Sequence, residues 1–439
     1  MRYLLPVVLI ASFSFAQDAY EEDYHVFTDA PRLLLTKQRL RLLQRERERQ
    51  SMRWLQFDSL ISRGAPMPEQ GLAWALYYQV AKNQEMGRKA VEWALDDKHA
   101  DTRQLALIFD WCGPLMTKAQ ADRIAAKLGK SLTVDTTGDV AKQSARALAA
   151  IALGDRLPDQ GEALMKGIIR QWWREGVVQN LRAIPREQTY ALYEMMHAIR
   201  DNLKIDLRES AHEYFTALPV DHLVGHYPSP FEAAENEYRI PVYVRDGEPD
   251  LTDAVFSRAA ELAMVAFDNN AAESQYLQGW LMQDRFLMRG ALGVVYEFLW
   301  ANPYQPGLSY FQMPLVYHDA RSGHVFARSS WDEDATWIGF FDGHLQLFRD
   351  GHVETLRPGA TIPPIRIGDA VLMSGHDPEW KFRADGEALF VLGLTPKTVY
   401  DVEIDNEELS ERETDAGGTL VISLPPSLDL GARLKKRIK

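Results

Sequence analysis

Apolar residues recur at helical spacing from about residue 30 to about residue 310, and after that the period shortens toward two. Thr36 stands before Leu40, Leu42 and Leu43, with Arg and Glu on the intervening positions, which predicts a capped amphipathic helix. Residues 72–81 and 84–95 are apolar-periodic around Lys82-Asn83 and predict an αα-hairpin. Thr117-Lys118-Ala119-Gln120 is a capping box ahead of Ile124, Ala125 and Leu128. A helix over 140–153 is closed by Gly154-Asp155, and others are predicted over 159–175, 186–203, 207–217, 252–268 and 275–300. Helix after helix through short turns predicts an α/α toroid or solenoid.

Past Asn302-Pro303-Tyr304-Gln305-Pro306-Gly307 the chain carries short alternating runs, such as 323–329, 336–341 and 388–393, punctuated by Gly and Pro. The last runs, 400–404 and 419–424, flank the turn Asp415-Ala416-Gly417-Gly418. The expected organisation is α+β and multidomain. An α/α toroid over 24–310 precedes an antiparallel β-sandwich over 311–428, and 429–439 is a frayed basic tail.

Composition narrows the class. Met1-Arg2 and the apolar run from Leu4 to Phe15, ending in Ser14-Phe15-Ala16, predict a signal peptide over 1–16 cleaved before Gln17. That run is shorter than the roughly 20 residues that span a bilayer, so the expectation is an exported chain, periplasmic or extracellular, without a membrane span. Cys112 is the single cysteine among 439 residues, which rules out an intrachain disulfide. A formal net charge of −13 argues against nucleic acid as a partner, because phosphate binding needs a concentrated positive face.

Two segments of the strand-rich region carry a resemblance. Gly323-His324-Val325-Phe326-Ala327-Arg328-Ser329-Ser330-Trp331 is similar to a G-x-x-x-x-R-S-S-W element, and the run from Gly343-His344 to Asp350-Gly351-His352 is similar to G-H-x-Q-H-x-D-x-G-H-F. Both belong to the β-domain of heparinase II/III-like polysaccharide lyases. Ala30-Pro31-Arg32-Leu33-Leu34-Leu35-Thr36 resembles that family's opening H-P-R-L-L-L-T, and Ile108-Phe109-Asp110-Trp111 with Leu115-Met116-Thr117 resembles its A-Y-D-W-x-x-x-x-L-T. Residues 147–155 resemble the helix that follows the family's Asn-containing segment. The chain departs from the pattern at Leu347 and Arg349, where the family has His and Asp. It also departs near 138–143, where Asp139, Lys142 and Gln143 stand in place of an Asn-His.

The resemblance implies β-elimination on a uronate-containing glycan, with an acidic polysaccharide or oligosaccharide as partner and no cofactor. Such chemistry needs a cation on the carboxylate, a base for the adjacent carbon acid, and an acid for the leaving oxygen. Arg186, Tyr190, Tyr193 and His197 fall at i, i+4, i+7 and i+11 on one helical stripe, opposite Leu192, Met195, Met196 and Ile199. Either Tyr190 or Tyr193 is the tyrosine that the resemblance implies. His344 joins them as a catalytic candidate, and Gln346 as a substrate-binding one. Arg186 is the expected carboxylate ligand, the local cation that an acidic protein must focus in its cleft.

A Pro-punctuated loop adds His226, Tyr227, Glu235, Asn236, Tyr238 and Arg239 as substrate-binding candidates. Glu232 and Glu235 are an alternative pair of carboxylates for glycoside hydrolysis. A glycan-binding protein without turnover is the other alternative, on the strength of the departures. No metal is assigned, since His344 and His352 do not make three converging ligands.

Overall fold

A computed structural model describes residues 22–133, 139–234, 237–283, 290–357, 359–375, 379–385, 388–404, 410–424 and 426–436. Residues 1–16, expected from the sequence to form a signal peptide, lie outside that set. The helices are α1 (Lys37–Glu48), α2 (Met52–Ser62), α3 (Gln70–Ala81), α4 (Gln84–Leu95), α5 (Thr102–Trp111), α6 (Lys118–Leu132), α7 (Val140–Ala152) and α8 (Pro158–Lys166). They continue as α9 (Thr189–Leu203), α10 (His212–Val224), α11 (Leu251–Phe267), α12 (Ala272–Gln283) and α13 (Gly293–Trp300).

Their starts follow local chemistry. The Thr36 hydroxyl accepts the Arg39 N–H at 3.2 Å, and Thr117 and Gln120 close the capping box of α6. Lys82 takes a left-handed conformation and turns α3 into α4. Several predicted helices differ in detail, and the 275–300 span is divided between α12 and α13. The 159–175 span passes from α8 into a π-helical segment, Gly167–Arg174, and the 207–217 span starts as a 3₁₀ turn, Leu207–Ala211, before α10. Helix α10 then runs through Pro219 to Val224, beyond the point where a proline reads as a stop.

Packing order makes the ring. The sequence of contacts α2–α3–α5–α7–α9–α11–α13 returns to α2, while α4, α6, α8, α10 and α12 lie against it from outside. Closure is aromatic: Phe57 stacks on Phe298 at 5.2 Å between ring centres, and Trp54 stacks on Tyr77 at 5.4 Å. Two of the segments that carry the resemblance meet inside this ring. Asp110 Oδ2 accepts the N–H groups of Arg32 and Leu33, each at 2.8 Å, and Trp111 Nε1 donates to the Leu33 carbonyl. No described helix is long and apolar enough to cross a membrane.

Strands β1 (Phe231–Glu232) and β2 (Glu237–Tyr238) form a short ribbon within the helical part. After α13 come β3 (Val316–Asp319), β4 (His324–Arg328), β5 (Trp337–Phe341), β6 (His344–Arg349) and β7 (His352–Leu356), an antiparallel meander in chain order. Asp342-Gly343 and Asp350-Gly351 join its last strands with positive φ at both residues, the primed hairpin turns that Asp-Gly favours. The remaining strands are β8 (Ile362–Ile367), β9 (Ala370–Ser374), β10 (Glu379–Asp385), β11 (Ala388–Leu392), β12 (Val399–Ile404), β13 (Ser410–Glu413), β14 (Leu420–Ser423) and β15 (Pro426–Lys436). They form two four-stranded sheets, β14-β11-β9-β8 and β10-β15-β12-β13.

The architecture is thus a helical part followed by a β part, with two differences from the expected sandwich. Three sheets are stacked rather than two, and β9 pairs with β11 in parallel. The frayed tail is also corrected. Residues through Lys436 belong to β15, which pairs with both β10 and β12 and buries Ala432 completely.

Strand periodicity sorts the meander into two faces. Val325, Ala327, Ile338, Phe340, Leu345 and Leu347 pack on the second sheet, whereas Phe326, Trp337, Phe341 and Phe348 join the helical core. Leu347 therefore sits in an apolar layer between sheets. Arg349 is exposed at the hairpin end.

Candidate functional site

Where the helical face of the meander meets the ring it leaves a cavity of about 1250 Å³. One wall comes from 178–187, α10, residues 240–250 and the start of α11. The other comes from the alternate positions Tyr317, Asp319, His324, Phe326 and Phe341, with Asp342 from the β5–β6 turn.

His324 bridges the two walls. Its Nδ1 lies 3.0 Å from Asp221 Oδ1 on α10 and its Nε2 lies 3.4 Å from Asp342 Oδ1. Burial by itself lowers an imidazole pKa, but the hydrogen bonds to Asp221 and Asp342 outweigh it and raise His324 to about 10. His324 is therefore an imidazolium at neutral pH. The same bond holds the Asp342 carboxyl below its usual range, against the effect of burial.

Tyr317 stacks on Phe326, its cross-strand neighbour, at 6.4 Å. Burial raises the pKa of the Tyr317 and Tyr214 phenols, and the nearby Asp221 adds to it, so both are protonated donors.

Arg186 occupies the helical wall on a 3₁₀ turn, Arg186–Gln188, ahead of α9. Its Nε donates to Ser257 Oγ at 2.9 Å, and its Nη2 donates to the His222 carbonyl at 2.8 Å and to Glu261 Oε1 at 3.3 Å. Its Nη1 makes no hydrogen bond among the described residues, and the side chain keeps 19% exposure into the cavity. Burial raises the Glu261 carboxyl to about 7, with Arg186 and Arg258 opposing. Burial also pushes His222 and His226 well below the ordinary imidazole value, so both are neutral.

Of the residues that sequence reasoning selected, Arg186 alone lines this cavity. Tyr190, Tyr193 and His197, expected on a polar stripe of catalytic candidates, are buried in the core instead. Helix α9 is an inner-ring helix with most of its residues buried, among them all three of these candidates. Tyr190 Oη donates to Glu194 at 2.9 Å and accepts from Trp300 Nε1 at 3.1 Å. Tyr193 packs edge-on against Phe215 and Phe267, and His197 Nε2 faces the Ala263 carbonyl at 3.0 Å.

The described loop candidates lie outside this cavity and are engaged within the protein. His226 Nε2 lies 3.2 Å from Glu261, buried against Trp280. Tyr227 Oη donates to Gln346 Oε1 at 2.8 Å, and Gln346 Nε2 donates to the Tyr243 carbonyl at 2.7 Å, a bond pair that joins the helical part to the meander. Tyr238 lies in the β1–β2 ribbon, and Arg239 pairs with Glu333 at 2.8 Å. Glu232 is exposed in that ribbon, away from the cavity lining, while Glu235 and Asn236 lie outside the described residues. His344 is half-buried beside Phe341 and outside the lining. Among the described residues no group of three or more His, Cys, Asp or Glu side chains is arranged to hold a metal ion.

The focused positive charge expected of the cleft is also corrected. Its lining carries Arg182, Arg186, Arg245, Arg321 and the His324 imidazolium against seven carboxylates. Arg182 pairs with Asp319, Arg245 with Asp250 and Arg321 with Glu213. Sequence reasoning passed over His324, Tyr317, Tyr214 and Asp221. The signal for the first two was the alternation of Tyr317-x-Asp319 and His324-x-Phe326 against apolar partners.

No protein-family profile matches the chain, and no curated protein matches it. Among solved structures, heparinase III aligns at 10% identity over 83% of this chain and 76% of its own, with a TM-score of 0.41. A protein described as a glycoside hydrolase aligns at 10% identity over 84% and 72%, with a TM-score of 0.32. A GH127 β-L-arabinofuranosidase from Geobacillus stearothermophilus T6 aligns at 9% identity over 83% and 65%, with a TM-score of 0.24.

Proposed function

We propose that this chain is an exported glycan-active protein that performs β-elimination on a uronate-containing oligosaccharide in the cavity between ring and meander. The observation that carries the reading is Arg186, whose Nη1 makes no hydrogen bond among the described residues, lining the same cavity as the protonated phenols of Tyr214 and Tyr317. At about 1250 Å³ the cavity exceeds the roughly 300–1,000 Å³ usual for small-molecule sites, which favours more than one sugar ring. Arg186 takes the uronate carboxylate and acidifies the neighbouring C–H. Neutral His222, on the same wall, accepts that proton, and Tyr317 or Tyr214 donates one to the leaving oxygen.

The test is a panel of acidic glycans assayed for the ultraviolet absorbance of an unsaturated uronate. Product from at least one glycan, reduced at least tenfold by Tyr317→Phe or Tyr214→Phe, is the expected result. Silence across the panel with folded protein rejects it.

A binding protein without turnover is the second reading. It is favoured by the excess of carboxylates over cations in the lining and by the pairing of Arg182, Arg245 and Arg321 with protein carboxylates. Retention of oligosaccharides without product formation supports it.

A further inference from the structure

Arg186 shares its charge with a fully buried carboxylate. Glu261 on α11 is fully enclosed, and its Oε1 lies 3.3 Å from Arg186 Nη2, 3.2 Å from His226 Nε2 and 3.2 Å from Ser257 Oγ. Its Oε2 has no hydrogen-bond partner among the described residues and lies 4.0 Å from Arg258 Nη1. An ionised Glu261 cancels the cation that Arg186 presents to the cavity; a protonated one leaves that cation whole. Geometry thus couples a buried proton to a charge on the cavity wall.

We propose that Glu261 sets the charge of the Arg186 subsite, so that an anionic sugar carboxylate binding at Nη1 is accompanied by proton uptake on Glu261. The inference rests on the reading of Arg186 as the carboxylate-binding group. Linkage makes the effect reciprocal: the proton strengthens anion binding, and the anion strengthens proton binding.

The groups packed around Glu261 leave this proton few alternatives. From the 3₁₀ turn it meets Arg186. From α10 and the residues after it come His222 and His226, both neutral through burial, and from α11 come Ser257 and Arg258. Trp280 of α12 closes the cluster against His226 and Arg258. Asp221, which also acts on Arg186, is engaged by His324.

The Glu261 carboxyl sits at about 7, so uronate affinity is constant in acid and falls as pH rises through that value. The fall is at most about tenfold per pH unit for a single coupled proton.

Calorimetric titration of the full chain with glucuronate and with a galacturonate trisaccharide, in buffers of different ionisation enthalpy, measures the uptake directly. Expected are a net uptake approaching one proton above neutrality and loss of both uptake and pH dependence in Glu261→Gln. His212→Gln, which alters the exposed imidazole at the cavity mouth, keeps the uptake. Uronate binding by the parent protein without proton uptake overturns this proposal and leaves the reading of Arg186 standing. No uronate binding at any pH overturns both. If Glu261→Gln does not fold, the buffer comparison on the parent still decides.

Discussion

His324 Nδ1 on β4 and Asp221 Oδ1 on α10 lie 3.0 Å apart, and this contact ties the meander to the helical ring across the cavity. Because Asp342 holds the other ring nitrogen, the imidazole pKa is raised to about 10, above its unfolded value near 6.5. A raised pKa contributes stability that is fully present below the unfolded value and lost as pH rises through the folded one. The expected outcome is that His324→Gln lowers the melting temperature by an amount equivalent to about 1–3 kcal/mol at neutral pH. Parent and variant should converge as pH passes about 10. A gap that persists unchanged in strong alkali would count against the bridge.

Tyr190 tests the corrected position of the α9 tyrosines. Removing its hydroxyl leaves Trp300 Nε1 without its acceptor and removes the donor to Glu194 within a buried network that includes Arg103. Tyr190→Phe is expected to cost about 1–3 kcal/mol in denaturant unfolding, the usual penalty for an unsatisfied buried partner. Glycan affinity should stay within twofold. A stable Tyr190→Phe protein that has lost binding or turnover would restore Tyr190 to the site.

Tyr317 should show the opposite split. Tyr317 lines the cavity and its ring stacks on Phe326, so Tyr317→Phe preserves the packing. Stability is expected to change by less than about 0.5 kcal/mol, as for substitutions away from buried networks. Turnover, or glycan affinity under the binding reading, should fall at least tenfold.

Gly225 ends α10 beside the Arg186 guanidinium. A Cβ there would lie 2.9 Å from Arg186 Nη1 and 2.9 Å from the Asp221 carbonyl. Gly225→Ala is therefore expected to displace the guanidinium and weaken uronate binding by five- to tenfold while leaving neutral-sugar binding unchanged. Equal weakening of both ligands would point to general damage to the wall.

Glu261 also makes a stability prediction. Its folded value of about 7 lies above the unfolded one, so its contribution is complete in acid and is lost as pH rises through neutrality. Glu261→Gln should gain on the parent in melting temperature between about pH 5 and about pH 8. The gain is on the order of 2–3 kcal/mol, since one pKa unit is about 1.4 kcal/mol. Parallel curves for the two proteins would contradict it.

Much of the fold was legible because its signals are local. Thr36, the Thr117–Gln120 box and Lys82-Asn83 each mark a helix end through bonds within a few residues. Asp342-Gly343 and Asp350-Gly351 mark hairpins by the same logic. Legibility failed where a local rule met a tertiary one. Pro219 reads as a stop, yet α10 continues past it and delivers Asp221 to the cavity. The basic stretch after residue 431 reads as a loose end, yet backbone pairing on both sides makes it an interior strand.

The candidate site was less legible still. Period alone predicts that Arg186, Tyr190, Tyr193 and His197 share a face if one helix runs through all four, and it says nothing of what covers that face. The ring buries most of α9, and Arg186 stands on the 3₁₀ turn before it, lining the cavity. The sequence by itself determined which residues form helices and hairpins, because capping, turn conformation and hydrophobic period act over neighbouring positions. Only the tertiary structure decided which polar groups face the cavity. Burial, the meeting of α10 with β4 and the charge of His324 all arise from contacts between segments about a hundred residues apart in the chain, and no periodicity records them.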